Sequence, residues 1–443
     1  MIRHADPSPP PRPHRTLLGR FNSMGRALRH RNYRLFFLGQ GLSLIGTWMQ
    51  GVAIGWLVYR LTGSQMLLGV VGFAGSIPTF LLAPLAGVLA DRMPRRRLLL
   101  VTQTLAMVQA FVLAGLTLGG VIQTWSIVVL SALLGIVNAF DFPIRHSFVV
   151  EMIEDREDLS NAIAMNSFLV NGARLVGPSI AGVIIAAVGE GVCFLINAAT
   201  FLAVIAALWA MRIRPAPVPA THPHPLHHLR EGWSYAMGFA PIRTILALLA
   251  TVSLLGVSSQ VLMPVFARDV LHGGPRMLGL LTAAVAVGAM GGGMYLAQRG
   301  SVRGLGRILA GASALFGAGL IGFGLSGYFA LSVALLVVAG FGMMIQFAAS
   351  NSLIQTLVDD DKRSRVMSLY VMAFMGMGPF GSLLAGWMAR TWGAPATVIA
   401  CGCCCVIAGS LFAMQLPRLG KLVHPIYIRL GIVPDGSPIP WRL

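Results

Sequence analysis

Apolar runs about as long as a lipid bilayer is thick recur along this chain. Twelve stand out, at roughly 35–60, 67–90, 98–120, 124–148, 160–188, 190–211, 243–268, 277–299, 304–327, 328–357, 364–392 and 394–416. Inside hydrocarbon no water can bond a backbone N–H or C=O. Only helices, which satisfy those groups internally, or closed barrels can therefore cross. The chain lacks the ten-residue alternation of barrel strands and is only 8% aromatic, so the expectation is an all-α integral membrane protein. Charged residues make up 11% of the chain, against about 25% in an ordinary soluble domain.

The few charges are strongly biased. The net charge of +18 would suggest a nucleic-acid partner in a soluble protein. Here 28 basic residues fall in the first arm, in alternate loops and in the tail, against 4 in the other loops (Arg60, Arg268, Arg276 and Arg390). That split follows the positive-inside rule, so both termini are expected to be cytoplasmic and the basic loops to lie on anionic lipid. The basic arm adjoins the first span and has few aromatics, which favours lipid over nucleic acid. The first 30 residues lack the apolar core of a cleavable signal peptide. Four of the five cysteines, Cys401, Cys403, Cys404 and Cys405, lie in the last span. Near-consecutive positions fan around a helix, so these cannot converge on one ion, and no metal site is expected.

A Pro/His-rich loop near 212–242 divides six spans from six. The expected organisation is a basic arm (1–34), a first bundle (35–211), a linker (212–242), a second bundle (243–416) and a tail (417–443). A shift of 204 residues sets Asp155, Ser160, Gly177, Ala181, Gly182 and Gly189 on Asp359, Ser364, Gly381, Ala385, Gly386 and Gly393. Paired six-helix repeats suit a transporter whose halves rock about a central site.

The stretch GVLADRMPRRRLLL (87–100) crowds five charges between two apolar runs. With the six-plus-six arrangement, it resembles the signature Gly-x-x-x-Asp-Arg-x-Gly-Arg-Arg of the major facilitator superfamily. Gly87, Asp91, Arg92, Arg95 and Arg96 match, and Pro94 replaces the second glycine. ARLVGPSIAG (173–182) is similar to that superfamily's antiporter motif, with Ala173 and Ala181 as departures. RNYRLFFLGQGLSLIGTWMQ (31–50), NAFDFPIRHSF (138–148) and FLINAATFLAVIAAL (194–208) resemble the drug–proton antiporter branch that includes the enterobactin exporter and macrolide efflux proteins. The resemblance implies the major facilitator fold, with two pseudo-symmetric six-helix bundles. It also implies a conformational latch at Gly87, Asp91, Arg92, Arg95 and Arg96. There Asp91 caps the eleventh helix, where helix polarity favours an anion, and Arg95 pairs with an acid at the inner end of span four.

Several residues are candidates on chemical grounds. Asn138, Asp141 and Arg145 share a face of span four, and Asp141 is a carboxylate clearly within an apolar run. It has three readings: the latch partner of Arg95, the carrier of a coupled proton, or a local i,i+4 pair with Arg145. In span five Arg174 follows Asn171. A cation that deep faces protein or water, so it either binds an anionic substrate group or pairs with Asp141. Gln40, Ser43, Thr47 and Gln50 form a polar stripe on span one, and Gln260, Gln346 and Asn351 add polar groups in the second half. With Asn138, Asn171 and Arg174 these are the candidate cavity lining. Gly177, Pro178 and Gly182 in span five, with Gly288 and Gly292 in span eight, are the candidate seal between helices.

No GxxxxGK[ST] loop, HExxH helix or nucleophile–base pairing is present, so neither an ATP engine nor an enzyme is expected. The resemblance implies a monomeric secondary transporter of the bacterial inner membrane. It would export small amphipathic molecules and use the proton gradient in place of a cofactor. The alternatives are an importer or symporter on the same scaffold, and a non-transporting membrane sensor or partner subunit.

Overall fold

The computed structural model describes residues 25–153, 155–212, 225–299, 301–434 and 441. The side chains of 83–92, 156 and 225–230 lie outside the described set, so Gly87, Asp91 and Arg92 are placed only as helical backbone. The linker histidines fall outside it too.

Among the described residues, twelve helices are long and apolar enough to cross a membrane. They are α1 (Arg31–Thr62), α2 (Gln65–Arg92), α3 (Arg95–Leu118), α4 (Thr124–Glu151), α5 (Leu159–Val188), α6 (Glu190–Ala210), α7 (Ala240–Val270), α8 (Pro275–Ala297), α9 (Leu305–Leu325), α10 (Phe329–Leu357), α11 (Arg363–Trp392) and α12 (Ala394–Arg429). A separate linker helix, Pro225–Gly238, precedes α7. The last helix runs past the end of its apolar stretch at 416, through Pro417 and Pro425, so the first part of the tail is helical. Twelve alternating helices bring the start of α1 and the end of α12 to one end of the bundle, the near end.

The repeat seen in the sequence is a repeat of backbone geometry. Gly189 closes α5 and opens α6 with φ 85°, and Gly393 does the same between α11 and α12 with φ 83°. Both hold a positive φ that costs glycine little and other residues more. Gly177 presses α5 onto Ile45 and Trp48 of α1, and its counterpart Gly381 presses α11 onto Leu254 and Ser258 of α7. Within each half the helices pack in matching pairs: α2 on α4 and α3 on α6 in the first, α8 on α10 and α9 on α12 in the second.

The halves meet along two seams, α5 on α8 and α2 on α11. Lipid tails are as apolar as leucine, so helices gain no hydrophobic advantage by meeting in a membrane. Close van der Waals approach has to hold them. Glycine supplies it at both seams. A Cβ on Gly182 would stand 2.7 Å from the Pro275 carbonyl oxygen, and one on Gly279 would strike the Pro178 carbonyl. At the other seam a Cβ on Gly69 would stand 2.5 Å from the Ser382 carbonyl oxygen, and one on Gly386 2.9 Å from that of Gln65. Gly182 and Gly386 are again partners under the repeat.

The expected seal is corrected in its second half. Gly288 and Gly292 face Val337 and Phe341 of α10, inside the C-terminal bundle, not α5. The partner of Pro178 and Gly182 is Gly279, nearer the start of α8. Helix polarity explains the difference. Gly182 lies near the far end of α5, and α8 begins at that end, so only its first turns can meet Gly182.

All these seam contacts lie in the far half of the bundle. There the Tyr59 hydroxyl on α1 hydrogen-bonds Asp269 on α7. The Arg268 guanidinium donates to the Tyr59 carbonyl at 3.3 Å and lies 5.7 Å from the centre of its ring. Between described residues, the hydrogen bonds that cross from one half to the other are these far-end ones. Among the described residues, the near-end ion pairs stay within each half. Arg26 and His30 hold Asp158 at 3.0 and 3.1 Å in the first half. In the second, Asp359 takes Arg429 at 3.0 Å and the Tyr235 hydroxyl at 3.3 Å, and Trp441 is fully buried. The conformation is closed at the far end.

The seam predicts a specific failure. Overpacking a tight contact costs about 1–3 kcal/mol, enough to shift a two-state population roughly 5- to 150-fold. Gly279→Leu should therefore open the far end without blocking insertion, and raise maleimide labelling of a cysteine placed at Ile185, which is buried one turn after Gly182. Labelling equal to that of the parent would show that the seam is not the closure.

Candidate functional site

Asp141 sits ten residues before the end of α4 and is 2% exposed. Three side chains converge on it. Arg145 approaches one carboxylate oxygen at 2.5 Å. Thr102 and Gln103, from α3, donate to the other at 3.0 and 2.7 Å. Arg145 is one helical turn away and its guanidinium also lies 5.2 Å from the Phe142 ring centre. Of the three readings of Asp141, the i,i+4 pair is the one that forms. Its neutralisation is local, as burial of a carboxylate in an apolar surrounding requires.

Asp141 borders a cavity of about 40 Å³ inside the N-terminal bundle, lined by Gln40, Ser43, Thr47, Gln103, Asn138, Arg145 and Asn197 among others. Ser43 Oγ and Gln103 Oε1 are buried with no hydrogen-bond partner. A drug-sized ligand needs roughly 300–1,000 Å³, so this space suits water or a proton path and not a substrate. Gln40, Ser43, Thr47 and Asn138 are thus together as expected, but around a water-sized pocket.

Arg95 does not reach Asp141. It pairs with Glu151 at 2.5 Å. The reason is depth. Arg95 opens α3 at the near end, whereas Asp141 lies ten residues up α4, roughly 15 Å deeper at 1.5 Å per residue. Glu151, in the last turn of α4, is level with Arg95. The signal is present in the sequence, since an arginine that starts one helix can only meet the final turn of its antiparallel neighbour. Arg96 instead caps the end of α6, donating to the carbonyls of Leu208 at 2.7 Å and Trp209 at 3.0 Å.

The remaining cavity candidates separate. Gln50 belongs to a buried amide chain, donating to Gln109 at 3.1 Å and accepting from Asn197 at 2.7 Å. It ties α1 to α3 and α6 and does not line the pocket. In the second half Gln260 reaches the Met343 sulfur at 3.5 Å. Gln346 is fully buried, accepts from Ser350 at 3.1 Å and leaves its amide nitrogen unpaired. Asn351 accepts from Gln355 at 2.7 Å on the surface of α10. Helices α7 and α11 are locally wound as π-helix at Val252–Gly256 and Met372–Gly376. Ser253 joins the two segments by donating to the Phe374 carbonyl. Such turns recur at functional sites, and no polarity pattern in the sequence marks them.

Arg174 is the exception among the charged groups. Its guanidinium lies 5.5 Å from the centre of the Trp48 ring on α1. It does not pair with Asp141, which Arg145 holds. A cation at mid-membrane costs about 2.5–3.5 kcal/mol on insertion scales. Stacking on an aromatic face returns about 0.5–2 kcal/mol of that. Asn171, one turn earlier, donates to its own helix at the Ser167 carbonyl, 2.8 Å away. The sequence candidates omit the far-end group of Tyr59, Arg268 and Asp269. Its only trace there is that aromatic and charged residues end two spans at the same end.

Asp141→Ala should strand Arg145 and lower stability by about 3–5 kcal/mol. Adding Arg145→Met should recover at least half of that in thermal unfolding of the purified protein. Additive losses in the double variant would deny the pair.

The arrangement has relatives. The chain matches the family described as transmembrane secretion effector over residues 23–423. It is 28% identical over 366 residues to the staphyloferrin A transporter of Staphylococcus aureus, covering 81% of this chain and 90% of that one. It is 26% identical over 417 residues to the enterobactin exporter of Citrobacter koseri, covering 93% and 96%. To the multidrug efflux pump Tap of Mycobacterium tuberculosis it is 28% identical over 398 residues, covering 87% and 91%. Among solved structures, a bacterial homologue of the human lysosomal transporter Spinster superposes with a TM-score of 0.68 at 14% identity, covering 92% of this chain and 99% of that one. A nucleoside transporter superposes equally well, with a TM-score of 0.68 at 13% identity, covering 88% and 99%. Neighbours that differ so much in cargo share the fold alone. The chain belongs to the transmembrane secretion effector family of the major facilitator superfamily, and is a multi-pass membrane transporter and not an enzyme.

Proposed function

We propose that this transporter exports small amphipathic molecules by alternating access and draws on an inward proton gradient. The observation that carries the reading is the uneven contact between the halves. Both glycine seams and the Tyr59–Asp269 bond lie at the far end, while the near-end ion pairs stay within each half. Two bundles whose described contacts gather toward one end need only exchange which end is closed to move a bound molecule across. The direction is taken from the relatives, which include an enterobactin exporter and a multidrug efflux pump.

The positive-inside count puts the near end in the cytoplasm of a bacterial-type inner membrane. The conformation then faces inward, ready to load an export substrate, and the basic near-end loops lie against anionic lipid. One chain of this fold carries both halves of its own site, so a monomer suffices. Asp141 is the candidate proton carrier. It is a buried carboxylate beside a water-sized polar pocket, and its charge is balanced by a side chain one turn away. Protonation of Asp141 would release Arg145 on its own helix and weaken the bonds from Thr102 and Gln103, coupling a proton to movement of α4 against α3.

Energised inside-out vesicles containing the protein should accumulate dyes or siderophores from a small panel, and an uncoupler should abolish the accumulation. Accumulation that survives the uncoupler would exclude proton antiport. Accumulation of nothing would favour a sensor or partner subunit.

A further inference from the structure

We infer that Arg174 is the counter-ion for a carboxylate carried by the substrate, and that the transported class is small amphipathic acids and not organic cations. The inference rests on the export reading above and names the chemistry of its cargo.

Three observations converge on it. First, the acids of the membrane helices are few and mostly taken. The twelve spans contain Asp91, Asp141, Glu151, Glu190 and Asp269. Asp141 is held by Arg145, Glu151 by Arg95, Glu190 by Arg60 at 2.7 Å, and Asp269 by the Tyr59 hydroxyl. Asp91 closes α2 at the near end, far from the middle of the membrane. Arg174 stands midway along α5, and its only described partner is the face of Trp48. A guanidinium presents five N–H donors, and an aromatic face satisfies none of them in plane.

Second, α5 carries that cation beside the face it turns to the other half. At 100° per residue, Ser167, Asn171, Pro178 and Gly182 share one face of α5. Pro178 and Gly182 on that face touch Gly279 of the other half. Nearer the start of α5 the same face is more open. There Ser167 is exposed and Asn171 half-buried, each bonded only to its own helix. Gly177, on the adjoining face, is pressed against Trp48. Arg174 falls between these two faces, so it rests on Trp48 and borders the face turned to the other half. Ser167 and Asn171 make a polar ladder leading to it.

Third, the seam helices offer no mid-membrane acid to a cation. The seam helices α5, α8 and α11 contain no acid, and α2 contains only Asp91. A pump for organic cations needs a fixed negative charge where its cargo stops. This chain places a positive one there. A planar carboxylate meets the guanidinium fork with two parallel hydrogen bonds, and the low dielectric strengthens the pair.

Carboxyfluorescein and tetramethylrhodamine ethyl ester share a xanthene ring and differ in the sign of their charge. Binding to the purified full-length protein, read by fluorescence anisotropy, should favour carboxyfluorescein by roughly tenfold. Arg174→Gln should erase the preference, and Arg174→Lys should retain part of it, with gel-filtration profile and helix content unchanged. Equal binding of the two dyes, preference for the cation, binding of neither, or a preference that survives Arg174→Gln would each overturn the site. Uptake into inside-out vesicles separates the two claims. Arg174-dependent binding without pumping would leave the site and remove the export reading. Pumping indifferent to Arg174→Gln would do the reverse.

Discussion

Four glycines decide how this molecule is held together. Gly182 with Gly279, and Gly69 with Gly386, let two pairs of helices approach until backbone meets backbone. In a membrane there is little else to bind one apolar bundle to another, because burying leucine against leucine gains nothing over burying it in lipid. Among the described residues these glycine contacts are narrow, almost free of hydrogen bonds and gathered toward the far end, with Phe73 and Phe80 on Phe380 continuing the α2–α11 seam to mid-bundle. A broad hydrogen-bonded interface would fuse the halves. A narrow dispersion contact holds them by an amount small enough for ligand or proton binding to reverse.

Charge is handled with the same economy. Three described carboxylates of the spans have partners of their own: Arg145 for Asp141, Arg95 for Glu151, Arg60 for Glu190. These pairs stay within one half, so they survive a rocking motion and contribute rigidity to the bundle. The bonds that cross the halves, from Tyr59 to Asp269 and from Arg268 to Tyr59, sit at the rim, where water can replace them when the end opens. Arg174 departs from this rule. If its charge is left for the cargo to neutralise, the protein carries the cost of an uncompensated cation until a substrate arrives.

Much of the fold is legible in the sequence because a bilayer imposes a length. A run of apolar residues has to become a helix, and the arginine count has to sort the loops. The 204-residue repeat is legible because glycines with fixed jobs recur in fixed places, as Gly189 and Gly393 do. Partners are less legible. Glu151 lies just beyond the apolar run and escapes a search confined to the spans, although depth along antiparallel helices selects it over Asp141 as the mate of Arg95. Gly288 and Gly292 form the more conspicuous small-residue pair, yet Gly279 meets α5, since polarity brings the first turns of α8 to the far end of α5. The polar stripe on α1 divides, with Gln40 and Ser43 at a water-sized pocket and Gln50 in an amide chain. Spacing names the face of a helix; it does not say which neighbour stands opposite.

Two rigid halves that exchange closure between the ends of the bundle must move those ends in opposite senses. Double electron–electron resonance on spin-label pairs across the α5–α8 seam, in a cysteine-free background, measures this most directly. One pair would sit at Val188 and Leu280 at the far end, the other at Ser160 and Met294 at the near end; all four positions are exposed. Between acidic and basic pH in liposomes, alternating closure predicts opposite changes, with a longer far-end distance emerging as a shorter near-end one does. Distances that both stay fixed, or that lengthen together, would contradict it.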